Sequence, residues 1–146
     1  MGRLLGIDYG TKRIGLAITD PLRLFASPLN TVSPEEFDSF LIHYLKTEEI
    51  DAFVVGYPVK MNNQPSESVS FINPFIKKLK KSYPLKPIHL VDERFTSQMA
   101  FRTMIEGGVK KMDRQNKSMV DKISAAIILQ SFLDNKTART EQKIQK

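Results

Sequence analysis

The chain has 146 residues, of which 41% are apolar and 26% charged, and it carries a formal charge of +6. That is enough for one domain with a substantial core, and the basic balance favours a polyanionic partner such as nucleic acid. There is no cysteine, which excludes disulfides, thiol nucleophiles and thiolate zinc sites, and the two histidines, His43 and His89, are too few for a histidine-rich metal site.

The opening segment, Leu4 to Asp20, reads LLGIDYGTKRIGLAITD. Leu4–Tyr9 and Ile14–Thr19 are strand-like apolar runs. The short turn between them holds Gly10, Thr11, Lys12 and Arg13 and suits an antiparallel hairpin. The step Asp20-Pro21 breaks the pattern, and a weaker third strand is expected from about Phe25 to Val32, interrupted by Pro28. A well-marked helix start follows: Ser33 as N-cap, Pro34 at the first helical position and Glu36 completing a capping box. Phe37, Phe40, Leu41, Tyr44 and Leu45 recur at helical spacing and give this helix one core-facing side, with His43 off the stripe and on the surface.

Ala52–Gly56 is a short apolar strand, and the polar stretch after Tyr57-Pro58 is a loop. The next helix is expected from about Glu67 to Ser82, with Pro74 delaying its start or kinking it. Its lysines, Lys77, Lys78, Lys80 and Lys81, read as a solvated face. Ile88–Val91 is the last strand and delivers Asp92, Glu93 and Arg94 at its end. Thr96 or Ser97 can cap a helix through Ile105 that stops at Gly107. A final helix runs from Ser118 to about Leu133, with Val120, Ile123, Ile127 and further apolar positions on its apolar face, and residues 135–146 form a polar tail expected to be disordered. Three strands followed by strand–helix alternation imply an α/β fold with a mixed five-stranded sheet and helices on its faces. The expected organisation is a single domain over residues 1–134. No apolar run approaches the roughly 18 residues that cross a bilayer, and MGRLLGIDYG has no signal-peptide pattern. A cytoplasmic location is expected.

Three carboxylates hold special positions. Asp8 ends the first apolar run, Glu93 follows the last strand, and Asp121 lies in the first turn of the final helix. They are separated by 85 and 28 residues, so only tertiary folding can unite them. If the first and last main strands are neighbours, Asp8 and Glu93 emerge side by side, with Asp121 placed opposite by the helix. Acid clusters of this type suit Mg²⁺ or Mn²⁺, which accept phosphate oxygens in their open positions. Two such ions about 4 Å apart activate a water and stabilise the leaving oxygen in phosphodiester hydrolysis. Each acid also has a purely structural role open to it. Asp8 can cap the following turn, Glu93 can pair with Arg94 at the surface while Asp92 competes for its role, and Asp121 can complement the helix dipole.

The blocks GIDYGTKRIGLAITD, VVGYP, VDERFTS and DKISAAIILQSFLD, in that order from Leu4 to Asp134, resemble the YqgF family, also called RuvX. That resemblance implies a ribonuclease H-like fold similar to the RuvC resolvases, and a metal-dependent nuclease acting on structured nucleic acid. It implies Asp8, Glu93 and Asp121 as catalytic, metal-holding acids for one or two Mg²⁺ or Mn²⁺ ions. It further implies Thr11, Lys12, Arg13, Arg94 and Thr96 as contacts to the nucleic acid. Processing of the 5′ end of pre-16S rRNA is the favoured activity, with ribosome association; Holliday junction resolution on branched DNA is the alternative, and the oligomeric state is monomer or dimer. Two further readings compete: a catalytically silent RNA- or ribosome-binding protein, and a nucleotide-binding domain, because the DxGT turn also resembles the phosphate-gripping hairpin of actin-like sugar kinases. The family often has glycine in the loop after VVGYP, where this chain has Asn62-Asn63.

Overall fold

The computed structural model describes residues 2–57, 69–92 and 117–134. Five strands form one sheet: β1 (Arg3–Tyr9), β2 (Ile14–Thr19), β3 (Ala26–Val32), β4 (Ile50–Tyr57) and β5 (Ile88–Asp92). Their order across the sheet is β3-β2-β1-β4-β5. The β1–β2 and β2–β3 pairs are antiparallel, whereas β4 runs parallel to both β1 and β5. The sheet is thus mixed, as the element order implies. The condition that the first and last strands be neighbours is not met, because β4 lies between β1 and β5.

Helices α1 (Pro34–Thr47) and α2 (Val69–Ser82) cover one face, and α3 (Lys117–Asp134) covers the other. Strand alternation sorts the side chains between these faces. Leu5 and Ile7 of β1 join Phe53, Val55, Phe37, Leu41, Ile72 and Leu79 on the α1/α2 side. Leu4, Ala17, Val54 and Val91 join Ala125, Ile128, Leu129 and Phe132 on the α3 side. Burial on both faces makes β1 and β4 nearly continuous apolar runs.

The start of α1 has the expected chemistry. The Ser33 hydroxyl accepts from the Glu36 backbone N–H, and the Glu36 carboxylate accepts from the Ser33 N–H at 3.0 Å. Pro28 is tolerated in β3 because β3 is an edge strand, and the β2–β3 register shifts beside it, between Leu16 and Ala17. Phe25 belongs to the preceding loop: its N–H, with those of Leu22 and Leu24, is held by the Asp20 carboxylate. Pro74 lies inside α2, while Glu67, where that helix was expected to begin, and the expected helix from Thr96 to Ile105 lie outside the described residues.

The apolar face assigned to α3 is corrected. Ser124, Ala125, Ile128, Leu129 and Phe132 are buried, whereas Val120, Ile123 and Ile127 are half-buried. Gly6 explains the choice, since a Cβ there would stand 2.9 Å from Leu129 Cβ and 3.0 Å from the Ala125 carbonyl oxygen. A helix that approaches a sheet this closely turns its alanines toward it. No described helix is long and apolar enough to cross a membrane.

Candidate active site

The β1–β2 turn fixes the first acid. Tyr9 pairs with Ile14, leaving residues 10–13 as the connection. Gly10 fits because a Cβ there would press into the Arg13 carbonyl at 2.6 Å. One step back along the ladder, Asp8 pairs with Gly15. Paired residues share a sheet face, and Asp8 continues the series Leu4, Gly6 on the α3 side. Tyr9 points the other way, stacking on Phe75 with ring centroids 4.5 Å apart.

Helix α3 brings the second acid to the same corner. A Cβ at Gly15 would overlap the Asp121 carbonyl, so α3 lies directly on Gly15 at Asp121; because the helix begins at Lys117, Asp121 stands just past its first turn and not within it. Asp121 also continues the buried stripe of Ala125, Ile128, Leu129 and Phe132 one turn toward the N-terminus. That spacing is a sequence signal which the Val120–Ile123–Ile127 assignment passes over. The half-buried Asp121 accepts a hydrogen bond from Arg13 Nε at Oδ2, 2.6 Å away, closing an ion pair across 108 residues. Arg13 reaches it because it shares the face of Gly15, two residues on.

Asp8 and Asp121 are therefore brought together, with Arg13 at their side. Thr11 and Lys12 are exposed at the tip of the turn. Glu93, Arg94 and Thr96 lie outside the described residues. The competition between Asp92 and Glu93 is narrowed: Asp92 pairs with Tyr57, which packs on the α1/α2 core, so the pleat puts Asp92 on the face opposite Asp8. Among the described residues no group of three acids or histidines is arranged to hold a metal ion. Asp8 and Asp121 supply hard oxygen donors from two separate elements, a donor type that fits Mg²⁺ or Mn²⁺, and Asp121 already takes a cationic partner. A cavity of about 240 Å³ lined by Tyr9, Phe37, Phe75 and Leu79 belongs to the α1/α2 face and is no part of this corner.

The fold defines the class. The fowlpox virus resolvase bound to Holliday junction DNA matches with a TM-score of 0.58 over 91% of this chain and 97% of its own, at 10% identity. RuvC of T. thermophilus matches with a TM-score of 0.53 over 92% and 96%, at 16% identity. The architecture is ribonuclease H-like. A family model described as "RuvX: Holliday junction resolvase" matches residues 2–135, and the chain belongs to the RuvX family. Its relatives include proteins named "Putative pre-16S rRNA nuclease". One, from Porphyromonas gingivalis, is 52% identical over 92% of this chain and 98% of its own. Another, from Bacteroides fragilis, is 49% identical over 93% and 99%.

Proposed function

We propose that this chain is a divalent-metal-dependent endonuclease that hydrolyses phosphodiester bonds in structured nucleic acid, its favoured substrate being the 5′ end of pre-16S rRNA. One observation carries the reading: Asp8 and Asp121, far apart in sequence, meet across Gly15 on one face of the sheet. A carboxylate pair so placed has an economical explanation as oxygen ligands, with Glu93 as the third. A bound Mg²⁺ or Mn²⁺ supplies an activated water and stabilises the leaving oxygen. The chain's own part is to orient that chemistry. Asp8 and Asp121 hold the cation from β1 and α3, and Thr11, Lys12 and Arg13 present donors to the phosphate. Arg94 and Thr96 extend that contact.

The relatives' names favour pre-16S rRNA, and with it a ribosome-associated role in the cytoplasm. Residues 1–134 then act as one nuclease domain. A second reading, resolution of branched DNA, draws on the description of the family as a Holliday junction resolvase. Phosphate contacts do not separate the two substrates, because they carry no sequence information. The test is to incubate the purified protein with Mg²⁺ or Mn²⁺ and either 5′-extended 16S precursor RNA or a four-way DNA junction. Cleavage of the RNA, abolished in Asp8→Asn, is the expected result. Failure to cut either substrate, or equal cutting by Asp8→Asn, overturns the nuclease reading.

A further inference from the structure

Arg13 has two calls on one guanidinium. Its place beside the exposed Thr11 and Lys12 suits a phosphate contact, yet its Nε is engaged with Asp121 Oδ2 at 2.6 Å. The pair is partly shielded from water, with side chains 38% and 21% exposed. Asp121 is also a proposed cation ligand. A guanidinium is a permanent cation and occupies the carboxylate in a directed bond. A divalent ion seeks the same oxygen charge. Arg13 and the metal thus compete for the charge of one carboxylate, and Asp121 and the phosphate compete for that of one guanidinium.

We propose that Arg13 is a positioning residue that exchanges partners: without metal it neutralises Asp121, and cation binding at Asp8 and Asp121 releases it to the substrate phosphate. This rests on the metal-dependent nuclease reading above. The exchange couples two binding events. A phosphate that draws Arg13 away frees Asp121 for the cation, and a cation that displaces Arg13 frees it for the phosphate, by the same factor in each direction. The site then completes itself only when nucleic acid and metal are both present. A permanent Arg13–Asp121 buttress makes the opposite prediction, because loss of an orienting partner weakens a ligand.

The experiment follows Mg²⁺ binding to the full chain by calorimetry and the Arg13 side chain by NMR. Arg13→Gln is expected to bind Mg²⁺ more tightly than the parent, by about fivefold or more, the lower end of ordinary coupling. Lys12→Gln removes the same charge from the same turn without touching Asp121, and is expected to change affinity less. In the parent, the Arg13 Nε–H resonance, identified by its loss in Arg13→Gln, is expected to shift and exchange faster with water as Mg²⁺ is added. Weaker binding by Arg13→Gln, equal effects of the two variants, or an Arg13 resonance unmoved by bound Mg²⁺ each overturns the exchange. Loss of Mg²⁺ binding in Asp8→Asn assigns the heat to this site. A parent that binds no Mg²⁺ there defeats the metal-dependent reading itself, an outcome distinct from failure of the exchange.

Discussion

The backbone of Asp121 rests directly on Gly15, with no room for a side chain between helix and sheet. Because Gly15 is also the ladder partner of Asp8, one small residue sets the spacing between two acids. Gly15→Ala should therefore lift α3 off the sheet around Asp121 and cost about 1–3 kcal/mol, the usual range for overpacking. Activity per folded molecule should fall as well. Gly6→Ala also crowds α3, but against Ala125 and Leu129, a turn and more from Asp121. It should lose stability with less effect on cleavage. Denaturant unfolding and nuclease assays on both variants check this; a fully active Gly15→Ala contradicts it.

Asp8→Asn and Asp121→Asn should separate activity from folding. If these carboxylates hold the cation, each change should reduce cleavage at least about 100-fold, since even outer partners of metal ligands are worth 10–100-fold. Stability should barely move. The Arg13–Asp121 pair is partly solvated, and such pairs contribute about 0–1 kcal/mol. Cleavage rate and thermal midpoint measured on the same preparations decide the matter. A large stability loss with rates intact makes the acids structural.

Much of this arrangement is legible in the sequence. The β1–β2 hairpin follows from two apolar runs around Gly10–Arg13, and α1 from the Ser33–Glu36 box, because those signals are local. Strand order is not local. Nothing in the apolar runs says that β4 inserts between β1 and β5. The face of α3 escapes for another reason: both bulky and small apolar residues surround the helix, so periodicity alone does not choose. Close approach over Gly6 and Gly15 selects the side bearing Ala125, and Asp121 comes with it. The resemblance names Asp8 and Asp121, but not the Arg13–Asp121 ion pair, which needs tertiary contact to be seen.

Thr19 offers a test at the far end of the sheet. It is fully buried, and its Oγ1 accepts a hydrogen bond from the Leu4 N–H at 2.9 Å. The β1–β4 register shifts at this point, between Arg3 and Leu4. Thr19→Val keeps the shape and leaves that N–H unpaired, which should cost about 1–3 kcal/mol. Cleavage by the folded protein should be unchanged, because Asp8 lies at the opposite end of β1. Unfolding curves and specific activity check both halves. A stability change near zero shows that Leu4 finds another partner.

Two carboxylates outside the site, Asp20 and Glu36, should make stability depend on acid. The N–H of Phe25, above all, holds the Asp20 carboxyl below its ordinary range, with Leu24 and Leu22 assisting. The Ser33 backbone N–H does the same for Glu36, helped by the Ser33 hydroxyl. A carboxyl whose value is lowered by folding stabilises the folded state above its unfolded value, and that contribution is lost as the pH falls through the folded one. Asn and Gln mimic the protonated forms, so Asp20→Asn and Glu36→Gln should be less stable than the parent at neutral pH. The gap should close as the pH drops below about 4, where free carboxyls begin to protonate. Thermal midpoints of the parent and both variants between pH 7 and pH 3 give the answer. A gap that stays constant across that window means that the charge on these caps does not stabilise the fold.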